Sequence, residues 1–182
     1  MSRIPTPTSI ETAPEASRLL LEAVKKQLGS VPNLFRIIST SPAALEGYLG
    51  LNGALGKGVL TPATRERIAL AVAEINGCGY CLAAHTYLGT NLAKLDSTEI
   101  AANRHGGSTD AKAAAAVHFA ANIAASRGAV SAEAVIAVRE AGYSDAAIVE
   151  IIAHVALNTL TIYVNEVLGT EIDFPAAEAL AA

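Results

Sequence analysis

Only two of the 182 residues are cysteine, and neither lies outside the four-residue stretch Cys78-Gly79-Tyr80-Cys81. A chain using cysteine merely as a small buried apolar residue would scatter it, so the scarcity argues that the pair is there for chemistry. Clusters of lysine and arginine are also missing. Thirteen basic against 17 acidic side chains give a net charge of −4 and a pI near 5.5, which leaves no electrostatic footprint for nucleic acid. Long apolar runs are absent as well: a membrane span needs roughly 18 to 20 such residues, and the best candidate, 148–168, is interrupted by Glu150, His154, Asn158, Asn165 and Glu166. The first residues, Met1 to Thr8, hold no apolar segment of the secretory kind. The expected location is therefore cytoplasmic, where a two-residue cysteine spacing means redox chemistry or metal more often than a structural staple. Nowhere do β-branched residues alternate as a strand requires.

What is present is helix. Hydrophobic residues make up 52% of the chain and mean hydropathy is +0.38, with alanine supplying much of it. Alanine-rich apolar helices often complete their burial against copies of themselves, so a homo-oligomer is expected. Residues 1–12, with Pro5 and Pro7, read as an extended N-terminal arm. A helix over 14–28 follows, with Leu19, Leu20, Ala23, Val24 and Leu28 at helical spacing and Gly29 as its stop. Ser41-Pro42 and Thr61-Pro62 are cap-then-proline starts for helices to about Leu55 and Ile75. Gly47, Gly50 and Gly53 interrupt the first of these and are expected to be close-packing positions. Asn76-Gly77 reads as a left-handed cap, after which a helix runs from Cys78 to about Lys94. Asp96 to Glu99 has the capping-box pattern, and Asp110, Ser131 and Ser144 open three more helices. The expected fold is all-α, a single-domain bundle of seven to nine helices over 13–175 with a central αα-hairpin. The tail 170–175 reads as an ordered strap, and 176–182 as frayed.

Helical spacing turns the cysteine stretch into geometry. Cys78 falls at a helix N-terminus, Cys81 one turn on, and His85 a further turn along the same face. A helix N-terminus and an imidazolium both favour thiolate. Across the hairpin, Glu66 comes level with His85, whereas Glu74 comes level with Tyr80 or Cys81. Such a thiolate can attack an O–O bond, become a sulfenic acid and condense with its neighbour. Cys81, sharing a face with His85, is assigned as peroxidatic, and Cys78, at the helix tip and more open to an external reductant, as resolving. His85 takes the thiol proton directly or through water and Glu66 orients it. Tyr80, Glu74 and His154 are possible supporting residues, with His154 read chiefly as structural. A structural zinc site is set aside because closed sites want four ligands and the chain has only two thiols. No metal and no cofactor beyond the cysteine pair are expected.

The run from Thr61 through Arg65-Glu66-Arg67, the apolar helix after it, and Asn76 through Cys78, Cys81 and His85 to Thr86 resembles a known signature. It is that of the alkylhydroperoxidase D-like, peroxidase-related branch of the carboxymuconolactone decarboxylase family. That spacing is Glu, eleven residues, Cys, two, Cys, three, His, and Glu66, Cys78, Cys81 and His85 meet it in full. The resemblance covers residues 30–175, including Val31-Pro32-Asn33 and the 165–175 tail. It implies an all-helical fold, trimers or hexamers, and an antioxidant thiol peroxidase that reduces hydroperoxides and is recharged by a dithiol donor such as a lipoylated protein. Tyr80 stands where the best-studied members carry a second histidine, so that member of the proton relay is missing. Two alternatives are a lyase-like relative of the same superfamily, which generally lacks the cysteine pair, and a non-catalytic binding protein whose CxxC is a metal or redox switch.

Overall fold

Helix starts are written into the chain as side-chain acceptors. The side chains of Ser41, Thr61, Cys78, Asp96, Asp110, Ser131 and Ser144 each accept from the backbone N–H three residues on. The computed structural model describes residues 2–178 and Leu180. Among these residues it holds nine helices and no strand: α1 Glu15–Leu28, α2 Asn33–Ile38, α3 Pro42–Leu55, α4 Pro62–Ile75, α5 Gly79–Asn91, α6 Ser97–Arg104, α7 Ala111–Ser126, α8 Ala132–Glu140 and α9 Asp145–Leu168. The all-α expectation stands. α5 stops three residues short of the expected Lys94, which instead turns left-handed with φ 59°.

The bundle is built around α4, which contacts α5, α6, α7 and α9. Its residues 68–73 are all buried, and three of those six are alanine. A helix covered on every side must be apolar all round, and the small alanines let four neighbours approach it closely. α9 is the second axis. With 24 residues and a mean hydropathy of 1.7 it is long and apolar enough to cross a membrane. One face nevertheless lies inside the bundle and carries buried His154, Asn158, Thr161 and Asn165 beside Ile151, Val155 and Ile162, which gives it the position of a core helix. Glu150 fixes its start to that of α4: the carboxylate accepts from the N–H groups of Val59 at 2.8 Å and Leu60 at 3.1 Å. A Cβ on Gly58 would displace that carboxylate from the position it takes against these N–H groups.

The N-terminal arm is irregular through Pro14 and clamps the far end of α9, where Arg3 donates from N to the Leu168 carbonyl and from Nη1 to those of Glu166 and Val167. These are carbonyls that the helix end leaves unpaired. Of the expected tail 176–182, Ala179, Ala181 and Ala182 lie outside the described residues. Within the described part, Arg104 Nη1 donates to the Glu178 carbonyl at 2.6 Å.

Three expectations change. The inward face of α1 is Ser17, Leu21 and Val24, while Leu19 is 78% exposed. The face is rotated because the Ser17 hydroxyl donates to the buried Ser39 carbonyl at 2.7 Å. Gly47, Gly50 and Gly53 are not close-packed: a Cβ on each would meet nothing within 4 Å. At 96–99 only half the capping box forms, since Asp96 caps Glu99 while the Glu99 carboxylate turns inward. There it accepts from Arg67 at 2.6 Å, Asn103 at 2.9 Å, the Thr109 N–H at 2.7 Å, and the hydroxyls of Ser108 and Thr109.

That network has a measurable consequence. Burial acts to raise the Glu99 pKa, but the hydrogen bonds from Ser108, Thr109 and Asn103 outweigh it and hold the carboxyl well below the usual range. The stabilisation is therefore fully present above the unfolded value of about 4.3 and is lost as pH falls through the folded one. Glu99→Gln should lower unfolding free energy by about 2 kcal/mol at neutral pH. Denaturant titrations from pH 7 to pH 2 should also show a flatter decline below about pH 4 than in the parent.

Candidate active site

The hairpin between α4 and α5 is closed by backbone alone. Gly77 is left-handed at φ 66°, its N–H donates to the Glu74 carbonyl, and the Cys78 N–H donates to the Ala73 carbonyl. These two bonds complete a Schellman motif. The next residue to the turn, Cys78, is extended at φ −81°, ψ 98° and serves as the N-cap of α5, its Sγ accepting from the Cys81 N–H at 3.2 Å. The two cysteines are joined as a disulfide, with Cα atoms 5.3 Å apart.

Glu66 and His85 come level, as the helical count predicts. His85 Nδ1 lies 2.9 Å from Glu66 Oε2, and the two side chains are 21% and 22% exposed. With Nδ1–H donating to the carboxylate, Nε2 is left as the nitrogen that can accept a proton. No hydrogen bond joins His85 to either sulfur among the described residues, so a proton passing between them needs a water or the substrate itself.

The cysteines are far less open than this pair. Cys78 is 0% and Cys81 3% exposed, so Cys78 is not the more accessible thiol that its place at the helix tip suggests. Both belong to the main hydrophobic core, and the chain after α9 packs against the residues between them. Ile172 lies over Gly79, where a Cβ would stand 3.7 Å from its Cδ1. Asp173 accepts from the Tyr80 hydroxyl at 2.9 Å and from the Asn33 N–H at 2.7 Å, and Asn33 Nδ2 donates to the Glu171 carbonyl at 3.0 Å. Phe174 sits edge-on to Tyr80 at 5.9 Å and beside Tyr87 at 5.8 Å. The strap thus seals the N-terminus of α5, and Val31-Pro32-Asn33 is its other anchor.

Tyr80 belongs to this seal. Its hydroxyl accepts from the Leu34 N–H at 3.1 Å while donating to Asp173, which leaves its single proton committed. Burial, with the Asp173 charge adding to it, raises its pKa far above the ordinary phenol value. Glu74 is turned away to Arg104 on α6, 2.6 Å distant. His154 is buried; desolvation, and after it the charge of Arg65, lowers its pKa, and its Nε2 has no partner among the described residues. It makes no hydrogen bond to Glu66 or His85. Arg65 donates to the Leu55 and Gly56 carbonyls, and Arg67 is held by Glu99.

Two neighbours of the pair were not anticipated. Asn165 Nδ2 donates to Cys81 Sγ at 3.4 Å from the inner face of α9. Its signal in the sequence was the recurrence of His154, Asn158 and Asn165 on one side of an apolar helix. Tyr48 on α3 packs its ring tilted against Phe35, centroids 5.8 Å apart; burial and the Glu66 charge push its pKa up to about 12, so the phenol stays neutral. Nothing in the glycine-rich sequence around it marks that role. Among the described residues no group of three His, Cys, Asp or Glu is placed to hold a metal ion. A cavity of about 440 Å³ opens elsewhere, at the starts of α4, α7 and α9 beside Arg67, Lys112 and Tyr143, and none of Cys78, Cys81, His85 or Glu66 lines it.

The carboxymuconolactone decarboxylase family model matches residues 42–125, from the start of α3 almost to the end of α7. Among solved structures the chain is similar to the alkylhydroperoxidase AhpD core of an uncharacterised peroxidase-related protein from Ralstonia eutropha JMP134, at 26% identity and TM-score 0.83 over 94% of this chain and 92% of that one. An uncharacterised peroxidase-related protein from Silicibacter sp. TM1040 follows at 22% and 0.81, over 93% and 91%. The debrominase Bmp8, solved with 2,3,4-tribromopyrrole, matches at 20% and 0.79, over 95% and 94%. These last two identities speak for the fold alone. No curated protein sequence matches the chain.

If the strap is what shields the disulfide, loosening it should speed reduction. Tyr80→Phe leaves the Leu34 N–H and one Asp173 oxygen without their partner, at a cost of about 1–3 kcal/mol. The rate of disulfide reduction by a small phosphine should rise several-fold, measured against the parent under native conditions.

Proposed function

We propose that this chain, whose residues 42–125 match the carboxymuconolactone decarboxylase family model, is a thiol-dependent peroxidase of the alkylhydroperoxidase D-like type that reduces hydroperoxides through Cys81 and Cys78. The observation that carries the reading is the redox pair itself, a CxxC disulfide capping α5, with His85 one turn along the same helix and hydrogen-bonded to Glu66 of α4. The peroxidase-related character of the Ralstonia eutropha relative supports it. The retained cysteine pair favours it over a lyase-like activity.

The chemistry begins with the reduced pair. His85 Nε2 takes the Cys81 proton through a water, and Glu66 stabilises the imidazolium that results. The Cys81 thiolate attacks the distal peroxide oxygen: an S–O bond forms, the O–O bond breaks, and sulfur loses two electrons to the departing alkoxide. The imidazolium returns its proton to that alkoxide, giving the alcohol. Cys78 then gives its proton, through water and His85, to the departing hydroxide as its sulfur attacks the Cys81 sulfenic sulfur, so an S–S bond forms, the S–O bond breaks and water leaves. An external dithiol, for which a lipoylated protein is the proposed form, reduces the disulfide by exchange and is itself oxidised. No further cofactor enters the cycle, and a cytoplasmic location supplies the reducing setting it needs. For the assembly we propose a homotrimer or homohexamer. Support comes from the outward face of α9, where Val149, Ile152, Leu160, Tyr163 and Val167 are exposed.

Free-thiol counting tests the function directly. One equivalent of hydroperoxide should consume both thiols of the reduced protein; if both persist and no sulfenate can be trapped, the reading fails. Cys81→Ser should abolish peroxide consumption, whereas Cys78→Ser should leave a trappable sulfenate on Cys81, and the reverse pattern exchanges the two roles. Glu66→Gln should slow peroxide consumption about ten- to a hundredfold, short of a whole general-base contribution of about 10²–10⁴, without lowering the unfolding midpoint.

A further inference from the structure

One polar side chain touches the Cys81 sulfur without belonging to the CxxCxxxH motif. Asn165 stands three residues before the end of α9, is 3% exposed, and points its carboxamide at Cys81, with Nδ2 donating to Sγ at 3.4 Å. Its backbone holds it there: the Asn165 carbonyl accepts from the Gly169 N–H at the helix cap and from Thr170 N–H at 3.0 Å. Arg3 ties down the three carbonyls that follow. The position of the amide is therefore fixed by the end of α9.

A structural role does not account for this residue. An asparagine kept as a buried cross-link would satisfy both ends of its carboxamide, yet Oδ1 is buried with no partner among the described residues. Its one side-chain bond goes to a disulfide sulfur, a weak acceptor. Once the disulfide is reduced and Cys81 ionised, the same N–H faces a full negative charge, and a hydrogen bond to an ionised acceptor is about twice as strong as a neutral one. Burial opposes that ionisation by removing water from around the sulfur. The side chain between the two cysteines gives no help, because the Tyr80 proton is committed to Asp173.

We infer that Asn165 is a catalytic residue, whose carboxamide N–H stabilises the Cys81 thiolate in a buried site where Tyr80 cannot. The inference rests on Cys81 being the attacking sulfur under the peroxidase reading. The other titratable groups around this sulfur are Cys78, Tyr80 and His85 from its own segment, Glu66 from α4, Tyr48 from α3, Asp173 from the strap and His154 from α9. None of them gives a hydrogen bond to Cys81 Sγ, so Asn165 alone gives it a side-chain donor among the described residues.

The test is the ionisation of Cys81 in full-length Cys78→Ser protein, followed by ultraviolet thiolate absorbance, which does not require a reagent to enter the site. Asn165→Leu, similar in size and without donor or orphan acceptor, should move the midpoint up by about one pH unit while the unfolding midpoint stays level or rises. Asn165→Asp, nearly the same shape, should raise it too, by replacing the donor with a negative charge; it serves if the leucine variant does not fold. An unchanged midpoint in either folded variant overturns the inference. The failures are separable. A shifted midpoint in a protein that never consumes peroxide keeps the role of Asn165 and discards the peroxidase, and an unshifted one in an active peroxidase does the opposite.

Discussion

Everything at the candidate site hangs on one backbone turn. Gly77 takes a left-handed conformation in which two N–H bonds terminate α4 and the very next residue begins to cap α5. With no free residue between the helices, their relative phase is set by the turn rather than by side chains. That phase decides that Glu66 meets His85 and that the cysteines lie at a helix N-terminus. A residue with a Cβ at position 77 would be strained in that conformation at roughly 1 kcal/mol or more. The strain would fall on the joint that positions every proposed catalytic group.

The bundle can hold so exacting a hairpin because its packing is undemanding elsewhere. Alanine closes the contacts of α4, so neighbouring helices approach without needing large side chains to interdigitate. The polar groups that such close helices bury are expensive, and the chain concentrates them. Glu99 gathers Arg67, Asn103, Ser108 and Thr109 on one flank of α4, while Glu66 leaves the same helix one residue earlier and so about 100° around it. Adjacent charges are thereby sent to different tasks, Arg67 to hold α6 and Glu66 to hold the imidazole. Glu150 does similar service at the helix start, tying α4 to α9 and hence Cys81 to Asn165.

Features governed by local chemistry were legible in the sequence. Ser41, Thr61, Asp110, Ser131 and Ser144 cap where their hydroxyl or carboxylate placement predicts, and the Glu66–His85 register follows from counting residues away from a turn. Legibility ends where a side chain's partner is far along the chain. Asn33 and Asp173 are 140 residues apart, and no periodicity links them, so the strap could be read as ordered but not as a cover over Cys78. Leu19 shows the same limit in reverse: helical spacing allowed two faces of α1, and the Ser17 to Ser39 bond chose between them. The glycines of α3 mark a third case, since a weak helix facing open space has the same sequence as one pressed against a neighbour.

On the peroxidase reading proposed above, the arrangement divides the reaction into a dry part and a wet part. Sulfur chemistry sits under the strap, where low local polarity strengthens each hydrogen bond that reaches Cys81 and penalises an uncompensated charge. Proton chemistry sits at His85 and Glu66, both about one-fifth exposed, where a proton can be exchanged with solvent without opening the core. Separation of that kind has a consequence for access. On that reading the proposed hydroperoxide would approach Cys81 from the side of the imidazole, since Ile172, Asp173 and Phe174 pack against Gly79 and Tyr80 at the helix start. A dithiol donor has to reach one of two sulfurs that are both buried, and it is bulkier than a peroxide. On the same reading the Tyr80 hydroxyl, by holding Asp173, would tie reduction of the disulfide to undocking of the strap.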